Sequence, residues 1–256
     1  MKRQISYLWA LMTANMKSYN AERKRLFVMA LFMMIQNAMF FGLWVIFFQT
    51  VGDLKGWKLV DVTRMFGLAA SAIGLSLFFF NGARTLAYRV MDDSIDSFLT
   101  RPRKALPMLL MSSSSPASLG DITFGPLLWL TLGEVPLSLF PWFVLLTLFS
   151  ALIFTAATLM MFSIVFWLKT SSRFPEQLFE MLIILSSNIL HGQPFGVKAL
   201  MFTIIPAGFI SYLPAQLMRG FDPLLFGILL VATVFYAALA AYIFNAGLRR
   251  YVRGVV

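Results

Sequence analysis

The chain has 256 residues, of which 59% are hydrophobic and 12% are charged, and its formal net charge is +10. A soluble domain carries about 25% charged residues, so this composition excludes an ordinary soluble protein and indicates one that lies in a membrane. The absence of cysteine excludes disulfides and thiolate chemistry.

Residues 1–22 predict an interfacial helix that lies flat on the inner membrane surface. Their apolar side chains recur at helical spacing, whereas Lys2, Arg3 and Lys17 fall elsewhere on the helical wheel. Trp9 and Tyr19 are of the residue types that sit at the level of the lipid headgroups. The first long apolar run begins only after residue 25 and is too long for the core of a cleavable signal.

Six runs predict membrane-spanning helices, since a crossing needs about 20 apolar residues. They cover residues 26–50, 65–82, 117–132, 142–168, 177–190 and 223–247. Residues 199–217 are also apolar, but Pro206, Gly208 and Pro214 interrupt them, so we expect a re-entrant segment before the last span. The predicted fold is therefore a single all-α integral membrane domain over residues 1–256, with six transmembrane helices.

The distribution of basic residues predicts that both termini are cytoplasmic. With six spans, 16 of the 21 lysines and arginines fall on the side of the N-terminus. Basic residues are favoured on the cytoplasmic side of a membrane, so topology and anionic lipids account for the net positive charge. A nucleic-acid partner is not expected.

Residues 84–111 form a polar, cytosolic insert between the second and third predicted spans. Read as a helix over residues 88–100, the insert is amphipathic. Its apolar stripe consists of Met91, Ile95, Phe98 and Leu99. Its opposite side carries Asp92, Asp93 and Asp96, and Pro102 stops the helix at Arg101. This pattern is typical of a docking element for a soluble partner; the alternative is a solvated loop that lies on lipid headgroups.

The sequence lacks the motifs of an enzyme. It has no phosphate-binding loop and no nucleophile elbow, and His191 has no neighbouring metal ligand. Glu134, Glu176 and Glu180 lie at the ends of predicted spans, so we expect no buried carboxylate pair of the kind that proton-driven carriers use. We therefore expect no catalytic residue, metal or cofactor in this chain, and any transport energy must come from another protein.

Three segments carry a resemblance to a known family. Residues 94–102, with the sequence SIDSFLTRP, are similar to its hydrophobic-Asp-x-x-Leu-Leu-x-(Arg/Lys)-Pro segment. Residues 205–221 resemble its Tyr-x-Pro-Ala segment before the last span, and residues 247–251 resemble its Arg-Arg-Tyr tail. The chain thus resembles the permease subunits of bacterial ATP-binding-cassette exporters of the second type, and within them a six-span subfamily formerly of unknown function. Arg103, Lys104 and the four serines at 112–115 depart from the pattern.

The resemblance implies a transmembrane permease in the bacterial inner membrane that works with a separate ATPase. Such permeases form homo- or heterodimers and bind two copies of a soluble ATPase, which holds ATP and Mg²⁺. The insert would be the coupling helix, with the apolar stripe, the three aspartates, Arg101 and Pro102 as its contact residues. The interfacial helix would lead into the first span.

The resemblance also implies a substrate path between the first, second and fifth spans. Polar residues that would be costly against lipid are its candidate lining. These are Gln36, Asn37, Ser71, Ser76, Ser187 and Asn188. Hydrogen bonding between helices is the alternative role for the same side chains. An apolar path rich in phenylalanine and methionine suits a hydrophobic or amphiphilic cargo, drug-like or lipid-like.

Two other functions remain open from the sequence. A non-transporting membrane scaffold or assembly factor would need no ATPase, and neither would an ion-coupled carrier. Co-purification of a soluble ATPase would separate the exporter from both. An acidic residue essential for uptake into energised vesicles would favour the carrier.

Overall fold

The computed structural model describes residues 10, 13–14, 23–54, 56–100, 102, 104–134, 136–168, 173–188 and 193–254. Most of the predicted interfacial helix, together with Arg101, Arg103 and His191, lies outside these residues. The structure is 83% helical and has no strand in the described ranges. The predicted all-α class is confirmed.

The described helices follow one another along the chain with short connections. They are α1 (Arg23–Val51), α2 (Leu59–Phe80), α3 (Leu86–Met91), α4 (Asp96–Leu99), α5 (Ala105–Leu110), α6 (Ser118–Leu132), α7 (Phe140–Ser163), α8 (Val165–Leu168), α9 (Arg173–Ser186), α10 (Phe195–Thr203), α11 (Leu213–Arg219) and α12 (Pro223–Val252). A π-helix, Gly208–Tyr212, leads into α11, and two short 3₁₀ turns precede α3 and α7.

Within the described ranges, four helical segments are long and apolar enough to cross a membrane. They are Arg23–Val51, Leu59–Met91, Leu137–Leu168 and Pro223–Val252. The predicted third and fifth spans form α6 and α9, which have only 15 and 14 residues. At about 1.5 Å per residue, each is about 22 Å long, which is short of a hydrocarbon core of about 30 Å. The described residues therefore contain four candidate full-length spans, or five if the bent pair described below is counted as one.

Contacts at one end of the molecule join the insert to the later helices. The Tyr251 hydroxyl donates to Oδ1 of Asp93 at 3.0 Å, which ties the end of α12 to the insert. The Tyr88 hydroxyl donates to Oε1 of Glu176 at 2.5 Å, which ties the start of α9 to the same region. The insert, the start of α9 and the end of α12 therefore share one end of the molecule, called the insert end below.

Contacts at the opposite end join the start of α2 to the ends of α11 and α6. Arg219, at the end of α11, forms an ion pair with Asp61 of α2, with 3.2 Å between Nε and Oδ1. Arg64 of α2 donates from Nε to the carbonyl oxygen of Gly133, after α6, at 2.8 Å. The helices α1, α2, α6, α7, α9 and α12 therefore pass alternately between the two ends, although two of them are short.

The core is built around α2, which packs closely against α6 through glycine. A Cβ atom added to Gly125 would lie 1.9 Å from Oγ of Ser71 and 2.3 Å from the carbonyl oxygen of Gly67. One added to Gly120 would lie 2.3 Å from the carbonyl oxygen of Ala30 in α1. Small residues of this kind let helix backbones approach closely in a membrane, where apolar burial does not drive association.

The outermost helix is α1. Only 11% of its most apolar 18-residue stretch is buried, compared with 78% for the corresponding stretch of the segment that contains α2. Its buried residues are Asn37, Phe41 and Phe48. Large apolar side chains such as Phe27, Phe32 and Met39 are not covered by the described residues, so this face of α1 is open to lipid or to other protein segments.

The predicted interruption of residues 199–217 is present, although not at each predicted residue. The helices Phe195–Thr203 and Gly208–Arg219 meet at 83°, with Pro206 in the break. Gly208 packs against the Phe202 ring, which would lie 2.7 Å from an added Cβ. Pro214 does not interrupt a helix, which corrects the prediction, since the helix Gly208–Arg219 continues through it where the π-helix passes into α11.

We predict that Gly125→Ala lowers the stability of the folded protein. The added methyl would collide with Ser71 and with the backbone of α2, and overpacking of this kind costs about 1–3 kcal/mol. The midpoint of thermal unfolding in detergent measures the effect. Gly227→Ala is the matched control, because an added Cβ there meets nothing within 4 Å. Equal midpoints for the two variants would contradict the close packing of α2 on α6.

Candidate functional site

The insert contains three short helices rather than the predicted single helix over residues 88–100. The helix α3 ends at Met91, and Asp93 has a φ of 57°, in the left-handed region that a continuous helix cannot contain. Oδ1 of Asp92 accepts a hydrogen bond from the Ser94 amide at 3.1 Å, which stabilises this turn. Hydrogen bonding from the Ser94 side chain and backbone also holds the pKa of Asp92 below its ordinary value.

The predicted apolar stripe is partly correct. Ile95 and Phe98 are only 1% and 7% exposed and belong to the main core, and Leu99 is half-buried. Met91 is 56% exposed, so its place on the stripe was wrong. The reason is the left-handed turn, which redirects the chain immediately after Met91.

Arg89 holds the buried side of the insert in place. Its guanidinium lies 5.0 Å from the centre of the Phe98 ring, and its Nε donates to Oγ1 of Thr85 at 3.0 Å. Its carbonyl oxygen accepts from the Ile95 amide at 3.0 Å. Phe98 therefore packs against its own chain.

The outer side of the insert presents an apolar residue among acids, and we call it the insert tip. It consists of the exposed residues Met91, Asp92, Asp93, Asp96 and Ser97. Pro102 is exposed beside it, and Arg101 lies outside the described residues.

The insert is connected to a membrane-embedded cavity through α9. Glu176, in the first turn of α9, accepts the hydrogen bond from Tyr88, and Arg84 lies 5.0 Å from the centre of the Phe179 ring. The other end of α9 lines a cavity of about 510 Å³ together with α1, α2 and Asp121 of α6. We call this cavity the membrane groove. Its aromatic residues are Phe40, Trp44, Phe47 and Phe66.

The structure brings four of the six candidate path residues to the membrane groove. They are Gln36 and Asn37 of α1, and Ser187 and Asn188 at the end of α9.

The other two candidates lie elsewhere. Oγ of Ser76 shares a hydrogen bond with Oγ1 of Thr155 at 2.8 Å, which joins α2 to α7. Ser71 is buried beside Gly125 at the contact of α2 with α6. Ser76 therefore fits the alternative role of hydrogen bonding between helices, whereas Oγ of Ser71 has no hydrogen-bond partner among the described residues.

Asp121 is a groove residue that sequence reasoning missed. Nδ2 of Asn37 donates to its Oδ1 at 2.6 Å, and the side chain is 2% exposed. The expectation drawn from the sequence covered Glu134, Glu176 and Glu180, which lie at the ends of predicted spans, and did not cover Asp121. An acid inside the apolar run 117–132 was the available signal, because ionisable residues within a membrane span are costly and usually functional.

A second cavity, of about 750 Å³, lies between α10 and α12 and has an almost wholly apolar lining. The Tyr236 hydroxyl at its edge donates to the carbonyl oxygens of Phe202 and Thr203, at 3.1 and 2.8 Å. Within the described residues, no three side chains of His, Cys, Asp or Glu are grouped so that they could hold a metal ion.

A comparison with protein families finds that residues 32–254 match the family described as ABC-2 family transporter protein. Neither the curated proteins nor the solved structures give a match. The matched region runs from the third turn of α1 to just beyond the end of α12 and includes both the insert and the membrane groove. A match over this much of a chain built from long apolar helices shows that the protein belongs to the ABC-2 family of transporters, as a multi-pass membrane component.

Proposed function

We propose that the chain is the transmembrane permease subunit of an ATP-driven exporter in the bacterial inner membrane. It would move a hydrophobic or amphiphilic substrate, with energy from a separate ATPase that holds ATP and Mg²⁺. The observation that carries this proposal is the path from the insert tip to the membrane groove. Tyr88 of the insert contacts Glu176 at the start of α9, and Ser187, just after α9, lines the groove.

The insert tip is the proposed contact surface for the ATPase. Met91 offers an apolar anchor, and Asp92 and Asp96 offer negative charge to basic groups of the partner. The buried residues Ile95 and Phe98 support the tip from inside, in place of the docking role that their stripe first indicated. Two ATPase copies would each engage one insert of a permease dimer.

The exposed face of α1 is the proposed place of the second permease. Its large apolar side chains have no partner within the described chain, and α1 borders the membrane groove. A homologous or identical subunit that covered α1 would close the groove from the side. We propose six passages with both termini cytoplasmic, because the insert end, which carries Arg84, Arg89 and Arg249, then faces the cytosol.

An ion-coupled carrier is the second candidate function, and Asp121 is the observation that favours it. A buried acid beside an amide could bind and release a proton during transport. Uptake by energised vesicles in the absence of ATP, and its loss in Asp121→Asn, would support this function over the exporter.

We predict that Met91→Glu weakens association with the ATPase by about tenfold or more, because an exposed apolar anchor becomes an acid among acids. Affinity purification in mild detergent, followed by identification of co-purifying proteins and measurement of ATP hydrolysis, tests this. Phe195→Glu, at another strongly exposed apolar residue away from the insert, is the control and should not alter the yield of ATPase. Normal ATPase yield and normal ATP hydrolysis with Met91→Glu would exclude docking at the insert tip.

Phe98→Ala should behave differently from Met91→Glu. Removal of a buried aromatic side chain costs about 3–5 kcal/mol, so the thermal midpoint of the permease itself should fall. Met91→Glu should leave that midpoint unchanged because the residue is exposed. A normal midpoint for Phe98→Ala would contradict its packing in the core.

Single cysteines test the proposed topology, because the natural chain has none. Ser97→Cys should react with a membrane-impermeant maleimide only after the cell is opened, and Lys58→Cys should react in intact cells. Gly196→Cys and Gly220→Cys should both react from outside if the bent pair is re-entrant. Labelling of those two positions from opposite sides would mean that the bent pair crosses the membrane.

A further inference from the structure

Among the described residues that line the membrane groove, one side chain is acidic, and it is held in a fixed position. Asp121 lies where α1, α2 and α6 meet. Gly74 of α2 leaves room for it, since a Cβ atom added there would lie 2.7 Å from Cβ of Asp121. The amide of Asn37 donates to Oδ1 at 2.6 Å. The carboxyl group is therefore oriented by neighbours on two other helices.

The second oxygen of this carboxyl group is unpaired. Oδ2 of Asp121 is buried and has no hydrogen-bond partner among the described residues. A buried oxygen without a partner costs free energy unless a ligand or solvent supplies a donor or a positive charge. No lysine or arginine is among the described residues that line the groove, so the chain supplies no counter-charge there.

The remaining lining indicates the shape and chemistry of an occupant. Phe40, Trp44, Phe47 and Phe66 present aromatic rings, whose faces attract cations and whose area suits an apolar body. A hard inorganic cation takes six or more oxygen ligands, whereas the groove is largely apolar. Its volume of about 510 Å³ lies within the range of sites that hold drug-sized ligands.

We propose that the membrane groove binds an amphiphilic organic cation, with the positive centre beside Asp121 and the apolar body among the aromatic residues. Asn37 is a positioning residue that orients the carboxylate. This proposal rests on the proposed function, since it names the substrate class of the same path. It narrows a hydrophobic or amphiphilic cargo to one that carries a positive charge.

Two probe ions of nearly equal shape and opposite charge test the proposal. Tetraphenylphosphonium and tetraphenylborate both carry four phenyl rings around a central atom. Equilibrium binding to the purified full-length chain in detergent, corrected for binding to protein-free micelles, measures the preference for the cation. We expect the natural protein to bind the phosphonium at least about tenfold more tightly than the borate. Equal affinities, or a preference for the borate, would overturn the proposal.

The variant Asp121→Asn separates a charge effect from a packing effect. It keeps the shape of the side chain and its capacity to pair with Asn37, but it removes the negative charge. The preference for the phosphonium should fall to about one, while the thermal midpoint changes little. Asp53→Asn removes the same charge from an exposed position in the loop after α1 and should retain the preference. A preference that survives Asp121→Asn would overturn the proposal.

A second variant covers the case in which Asp121→Asn does not fold. Trp44→Leu removes an aromatic face from the half-exposed wall of the groove and should lower the preference by about threefold or more. In that case an unchanged preference in Trp44→Leu would overturn the proposal.

If the ATPase co-purifies but the charge preference is absent, only the ligand class is wrong. If the preference is present and no ATPase associates, the exporter function fails and the cation site stands.

Discussion

The close contact of α2 with α6 is the constraint on which the other features of this protein depend. Gly125 allows the two backbones to approach so closely that a single added methyl would collide with Ser71 and Gly67. The same contact brings Asp121 against Gly74, and Gly120 seats α1 on α6. Because lipid chains are as apolar as the side chains between the helices, such close packing, and not burial from water, selects this arrangement.

Polar side chains within the bundle have two distinct roles. The hydroxyl groups of Ser76 and Thr155 share a hydrogen bond that joins α2 to α7. Oγ1 of Thr155 also donates to the carbonyl oxygen of Ala151 in its own helix. Asn37 and Asp121 also join two helices, but one carboxyl oxygen remains without a partner beside the cavity. The two pairs differ because Asp121 keeps an oxygen that can still accept a hydrogen bond, whereas the Ser76 and Thr155 hydroxyls are both bonded. An incompletely satisfied buried acid is a stronger indication of a binding site than a polar residue on its own.

The insert is part of the bundle as well as a surface. Its buried side is fixed by the contact of Arg89 with the Phe98 ring. Its outer side is fixed by the hydrogen bond that the Tyr251 hydroxyl donates to Asp93. Under the proposed function, a force that the ATPase applies at the tip would be passed through such contacts to α9 and α12. The short length of α9 suits this role, because its first turn contacts Tyr88 and its last turn borders the groove.

Composition and local pattern determine the class of this protein, its long apolar helices, the polar insert and the break near Pro206, because each depends on neighbours in sequence. The amphipathic pattern could not show the turn at Asp93. The spacing of apolar residues along the sequence is compatible with a continuous helix and carries no sign of a single left-handed residue. Nor could it separate Ser76 from Ser187, because both are polar residues in apolar runs. Only the tertiary structure decided which of them meets a helix and which meets a cavity. It also paired Asn37 with Asp121, 84 residues apart, because contacts between distant helices depend on how closely their backbones can pack.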